Sequence, residues 1–168
     1  MINKEDVQEV LGGYEVKEYL RLNPDNEEDE YIDLLIASAR EYCENRIGQT
    51  IAITDLTLTE ENPGKSVHLA RPPIVRVNSV TCDGIAVAYH YDAQNIYFDE
   101  DIEGTVVINY TVGMTECPQS LKTAMLLLIG HWYTHREAVS ISSQYSARSS
   151  AVEMGVNAIL NQYKRWWF

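Results

Sequence analysis

The sequence predicts an α+β protein: a small helical bundle, with long helices near 26–47, 118–139 and 153–166, interrupted by an inserted antiparallel β subdomain at about 51–112. Three observations carry this prediction. Apolar residues recur at helical spacing from Ile32 to Ile47 and from Val156 to Tyr163. Every residue from Ala124 to Ile129 is apolar, which describes a helix buried on more than one side. Between the helical patterns, β-branched residues fall into short alternating runs separated by turn residues. A length of 168 residues suits a single domain, 1–168, with a sizeable core.

Residues 1–24 hold a short helical pattern, with Val16, Tyr19 and Leu20 on one face, between the breakers Gly12-Gly13 and Asn23-Pro24. The acidic run Asp25 to Glu30 opens the first long helix, where carboxylates suit the positive end of the dipole. Ile32, Leu35, Ile36, Ala39, Cys43 and Ile47 then form one stripe, Arg40, Glu41 and Glu44 are assigned to the outer side, and Gly48 caps the end. Strands follow at 51–59, 66–70, 75–80, 85–91, 96–98 and 105–110, joined by turns at Asn62-Pro63-Gly64 and Asp83-Gly84. Pro118 belongs in the first turn of the core helix. Its apolar run stops at Gly130 and His131, well short of the ~20 residues a membrane span needs. Gly130 implies the close approach of a neighbour, for which the small residues Ala37, Ser38 and Ala39 are candidates. Residues 140–152 are Ser-rich and predict a flexible loop before the last helix, which ends in Trp166-Trp167-Phe168.

The charge is acidic: 13 Lys and Arg against 25 Asp and Glu give −12. A surface of that sign repels phosphate backbones, which argues against tight sequence-reading of DNA but not against DNA as something to be let past. Cys43, Cys82 and Cys117 are odd in number and in no C-x-x-C pair, so they read as thiols in a reducing compartment. The N-terminal residues lack the pattern of a signal peptide, which points to the cytoplasm. His131 and His135 share a helix face at metal-ligand spacing, but Trp132 stands where the H-E-x-x-H pattern needs Glu. No serine elbow, phosphate-binding glycine loop or dinucleotide fingerprint is present. No catalytic residue, metal ligand or cofactor is assigned.

Several stretches together resemble the head–tail connector (adaptor) family of long-tailed bacteriophages and prophages. They are Val16 to Arg21; Ile36 to Gly48 with Ala39, Glu41, Tyr42 and Glu44; Arg71 to Val77; and Tyr110 to Gly113. The most specific part is Pro118-x-x-Leu121-Lys122-x-Ala124 followed by Leu128-x-Gly130-His131-Trp132-Tyr133-x-x-Arg136-Glu137. The family's proline-containing turn before the last helix has no counterpart in Ser150 to Gly155. The resemblance implies a non-enzymatic virion protein of the head–tail junction, made in the host cytoplasm. It would form a homo-oligomeric ring, commonly dodecameric, beneath the portal protein. That ring extends the DNA channel, lets DNA pass without specific binding, and offers a docking surface to the tail-completion or stopper protein.

On that basis Arg136, Glu137, Tyr145, Arg148, Lys164, Arg165, Trp166, Trp167 and Phe168 are candidates for subunit or portal contacts. Leu35, Ile36, Ala39, Leu121, Met125, Leu128, Gly130 and Trp132 are candidates for the structural core. The competing classes are a metal-dependent enzyme using His131 and His135, and a small acidic protein that mimics DNA.

Overall fold

The computed structural model describes residues 2–23, 25, 27–135 and 143–164. The chain is a mixed α+β structure with four helices and two antiparallel sheets. In order the elements are β1 Ile2–Gln8, α1 Gly13–Leu20, α2 Asp29–Ile47, β2 Ile53–Glu61, β3 Gly64–His68, β4 Ile74–Cys82, β5 Ile85–Ala86, β6 His90–Tyr91, β7 Asn95–Ile102, β8 Thr105–Val112, α3 Gln119–Thr134 and α4 Ser143–Leu160. They divide into two compact units: a β unit of Met1–Gln8 with Gln49–Glu116, and a helical unit of Glu9–Gly48 with Cys117–Phe168.

In the β unit, the five-stranded sheet runs β1-β2-β8-β4-β5 and the three-stranded sheet β3-β7-β6. Alternation along the strands sends every second side chain to one face. On β8 these are Val106, Ile108, Tyr110 and Val112, all buried. They share one core with Leu56 and Leu58 of β2, Val67 of β3, Val80 of β4 and Ile96 and Phe98 of β7. The opposite face of the larger sheet is polar and satisfies itself across strands. Thr57 donates its hydroxyl to Asn109 Oδ1 at 2.7 Å, and Asn109 Nδ2 donates to Ser79 Oγ at 2.9 Å. One row along, Thr111 donates to Asp55 Oδ1 at 2.6 Å and accepts from Asn78 Nδ2 at 3.1 Å. Gly113 closes β8 at φ +118°, where a Cβ would run into the Ala52 carbonyl.

Two features of this unit depart from the sequence pattern. Ile2 to Gln8 carries no strand signal, yet it pairs antiparallel with β2 as an edge strand, with a register shift between Glu5 and Val7. Edge strands with charges and bulges gain their pairing from the backbone rather than from an apolar face. The run 85–91 is not one returning strand. It splits into β5, paired with β4, and β6, paired with β7 of the other sheet.

The helical unit is built on α2 and α3. All of Ile32, Leu35, Ile36, Ala39, Cys43 and Ile47 are buried along α2. The helix begins at Asp29 with Glu28 as an N-cap that makes no side-chain cap bond, and Gly48 closes it in the left-handed conformation. Arg40 and Glu44 are not on the outer side: they are only 3% and 9% exposed. The spacing explains this, because Ile36, Arg40, Cys43 and Ile47 fall at i, i+4, i+7 and i+11 on one face. Arg40 Nε lies 3.0 Å from both carboxylate oxygens of Glu9, and its Nη1 lies 3.0 Å from Glu44 Oε2. Burial alone would lower the Arg40 pKa, but the carboxylates of Glu44 and Glu9 outweigh it and hold the guanidinium above its ordinary value.

On α3, Leu121, Ala124, Met125, Leu128 and Ile129 are buried, while Leu126 and Leu127 are only half-buried, so the helix is not enclosed all round. Pro118 stands just before the helix as an extended N-cap (φ −56°, ψ 138°) rather than inside its first turn. The helix ends at Thr134, and the expected continuation to 139 falls outside the described residues. The neighbour at Gly130 is α1, not the small residues of α2: a Cβ there would meet Tyr19 Cε1 at 3.2 Å. The Ser-rich segment is no loop from Ser143 onward, because α4 runs from Ser143 to Leu160 and then turns through Asn161 to Tyr163. Serine is a middling helix former, and no proline or glycine interrupts 143–154. Adding turns to an anchored helix costs far less than nucleating one, and the far half of α4 is anchored by Val156 and Leu160.

Arg40→Met would leave Glu9 and the buried Glu44 facing a neutral chain, and should cost about 2–4 kcal/mol in urea unfolding. An unchanged midpoint would contradict the role given to Arg40. At Gly130, alanine gains up to about 1 kcal/mol of helix propensity, and Tyr19, 44% exposed, can yield the few tenths of an ångström required. Gly130→Ala should therefore unfold at the same or slightly higher urea, whereas Gly130→Leu should lose about 1–3 kcal/mol by overpacking. Equal losses in the two variants would mean Tyr19 is held fast. Cys43 is pushed up to about 12 by burial, with Cys117 and Glu44 adding to the shift, so it stays a thiol at pH 8. Alkylation at pH 8, mapped by peptide, should reach it only on unfolding; rapid labelling of Cys43 itself in the native chain would refute its burial, whereas Cys82 and Cys117 are only half-buried.

Candidate functional site

The surfaces of the helical unit are set by a few polar and aromatic ties between helices. Tyr133 donates its hydroxyl to Glu28 Oε2 at 2.6 Å and its ring lies 6.1 Å from that of Tyr31, joining the end of α3 to the start of α2. Ser120 and Tyr163 share a 2.6 Å hydrogen bond between the start of α3 and the turn after α4. Trp132, half-buried, meets Tyr42 edge to face with ring centres 6.2 Å apart and planes at 82°. Arg46 Nε donates to Asn157 Oδ1 at 3.0 Å. Tyr42, Asn45, Arg46 and Asn157 line a groove of about 470 Å³ between α2 and α4.

His131 and His135 come together at the end of α3, with ring centres 4.5 Å apart. His135 Nδ1 lies 2.7 Å from the His131 carbonyl oxygen, which can only accept, so that nitrogen carries the proton. Burial, then His135, lowers the His131 pKa, against an opposing pull from Glu153. Among the described residues, no group of three or more His, Cys, Asp or Glu side chains is placed to hold a metal. Among the same residues no helix is long and apolar enough to cross a membrane.

The core candidates Leu35, Ile36, Ala39, Leu121, Met125 and Leu128 are buried, while Gly130 and Trp132 are half-buried. Of the contact candidates, Tyr145 and Arg148 fall on the first half of α4, and Lys164 is half-buried after the 161–163 turn. Arg136, Glu137, Arg165, Trp166, Trp167 and Phe168 lie outside the described residues. Arg46 and the Tyr42–Trp132 pair were not singled out as a contact surface by sequence reasoning. The available signal was an arginine one turn beyond an off-stripe tyrosine on α2, which is a weak one.

The β unit gathers carboxylates at one end. Glu60, Glu61, Asp83, Asp99, Glu100, Asp101 and Glu103 are all exposed. Backbone hydrogen bonds bring their turns together: Asn62 N–H donates to the Gly104 carbonyl at 2.8 Å, and Asp83 N–H to the Thr105 carbonyl at 3.0 Å. Side chains reinforce them, with Gly104 N–H on Asn62 Oδ1 at 2.8 Å and Thr105 N–H on Asp83 Oδ1 at 3.0 Å.

Known proteins resemble the chain at two levels. The model of the family described as "Head completion protein" matches residues 9–166. Solved structures match nearly end to end at low identity. A chain in the neck of an empty gene transfer agent particle, computed with C6 symmetry, is 20% identical with a TM-score of 0.71, over 100% of this chain and 97% of that one. A chain in the virion of a native gene transfer agent particle is 18% identical with a TM-score of 0.72 over the same shares. One in the neck of a native particle computed with C12 symmetry is 17% identical with a TM-score of 0.59, over 98% and 97%. At such identities the likeness concerns the fold. No curated protein matches the chain in sequence. The family match spans all four helices and seven of the eight strands, and with it the chain belongs to the head completion proteins, a family of phage head–tail connectors.

Proposed function

We propose that the chain is a structural protein of the phage head–tail junction, with no enzymatic activity. Copies assemble as a ring beneath the portal protein, extend the DNA channel and present a surface to the tail-completion or stopper protein. The observation that carries this reading is the family match over residues 9–166. The relatives solved in particle necks computed with C6 and C12 symmetry support a ring, and twelve copies is the number we infer. The helical unit acts as the bundle of the ring, and the β unit, most of whose chain runs between α2 and α3, as its insertion.

The chemistry of the chain fits a passive conduit. A net charge of −12 favours sliding of DNA over adhesion, because each exposed carboxylate repels the phosphate backbone. Contacts to portal and neighbouring subunits are assigned to Arg136, Glu137, Tyr145, Arg148, Lys164, Arg165 and the aromatic Trp166-Trp167-Phe168. Large apolar groups of this kind are the commonest anchors of protein interfaces.

Negative-stain microscopy with light scattering, with and without portal protein, tests the reading. Rings are expected with portal, and a chain that stays monomeric both alone and with portal would defeat the proposal. Deleting residues 166–168 should abolish ring formation or portal binding. Rings of normal size and occupancy from the shortened chain would remove those residues from the interface.

A further inference from the structure

We infer that the groove between α2 and α4 receives the acidic β7–β8 turn of a second copy of the chain. This rests on the ring assembly proposed above and deepens it by naming two surfaces. A ring closes through a heterologous contact, in which one patch of a subunit meets a different patch of the next. In a chain of charge −12, two copies repel at long range, and a contact that sets cations against carboxylates locally offsets that repulsion.

The groove has the cation. Arg46 is exposed, and its Nε is tied to Asn157 Oδ1 at 3.0 Å, which fixes the plane of the guanidinium. Among the described residues no carboxylate pairs with it. Its Nη groups remain available for the parallel two-bond pairing that guanidinium makes with a carboxylate. The Tyr42 ring, braced edge to face by Trp132, forms an aromatic wall beside it, and Asn45 adds an amide donor. Aromatic rings next to arginine are the usual composition of an interface anchor.

The end of β7 and its turn into β8, together the β7–β8 turn region, have the complementary charge. Asp99, Glu100, Asp101 and Glu103 are exposed, and among the described residues no cation pairs with them. The turn is already ordered: Gly104 sits at φ +116°, and Asn62 and Asp83 hold its backbone from two neighbouring loops. A pre-formed turn loses little entropy on docking.

Paired charge reversal tests the contact by sedimentation velocity, on the chain alone or, if wild type assembles only with portal, on the portal-bound ring. Arg46→Glu, and separately Glu100→Arg with Asp101→Arg, should each weaken association about tenfold or more, since each sets like charges face to face. Mixed in equal amounts, the two variants should assemble again, because alternating copies restore opposite charges at every contact. Melting curves like wild type would confirm that both variants fold. Association of Arg46→Glu at wild-type strength, or a mixture no better than its components, overturns the inference while leaving the ring proposal standing. Absence of any wild-type assembly, alone or with portal, removes both.

Discussion

The helical unit depends on one buried guanidinium. Arg40 lies almost wholly out of water, yet it sits on the same face of α2 as Ile36, Cys43 and Ile47. Its charge is tolerable there because Glu9 and Glu44 meet it at 3.0 Å. Such a knot adds little net stability over a well-packed apolar replacement, since desolvation cancels most of the attraction. What it adds is position. Glu9 stands between the end of β1 and the start of α1, so the ion pair fixes where the chain enters the helical unit against α2. α1 in turn lays Tyr19 over Gly130, where a Cβ would lie 3.2 Å from the ring and a larger side chain would push the two helices apart.

The β unit solves a different problem. Its core is fully apolar, but the reverse face of the larger sheet is neither apolar nor strongly charged. Thr57, Asn109 and Ser79 form one hydrogen-bonded row across three strands, and Asp55, Thr111, Asn78 and Arg76 form the next. Side-chain partners within the sheet leave these groups with less need of water. The charge is displaced to the end, where seven carboxylates surround turns held by Asn62 and Asp83. Charge is thus uneven within the unit: a hydrogen-bonded face on which Asp55 and Arg76 flank Thr111, and an acidic end. An average over the sequence hides this, because the composition reports only −12 for the whole chain.

Much of this was legible in the amino-acid order. The stripe from Ile32 to Ile47, the apolar heart of α3 and the alternation of β8 all follow from period, and each bounds a real element. The failures have separate physical causes. β1 forms because β2 offers it a free edge, and the charged run Asn3 to Asp6 carries no trace of that. α4 extends back to Ser143 because helix propagation is cheap once Val156 and Leu160 are anchored, a cooperative effect absent from local composition. Arginine usually faces outward, and that tendency hides Arg40, although its spacing from Ile36 and Cys43 places it inward. A glycine in an apolar helix signals a near neighbour, but that the neighbour of Gly130 is Tyr19 of α1 is a tertiary fact.

The surfaces are harder to read than the fold, and the reason is the kind of work such a protein does. A catalytic site concentrates chemistry, so its residues stand out by type and spacing. A ring contact instead divides its chemistry between two patches of one chain, each ordinary alone. Arg46 is one of 13 cations and Asp101 one of 25 anions, and they are 55 positions apart in sequence. Neither stands out until the fold shows that, among the described residues, Arg46 pairs with no carboxylate and the acidic end of β7 with no cation. What sets Arg46 apart is its place in a groove, tied to Asn157 and walled by the Tyr42–Trp132 ring pair. In the contact inferred above, a second copy supplies the carboxylates from a turn whose backbone Asn62 and Asp83 already hold. That setting, rather than any motif, distinguishes the groove between α2 and α4.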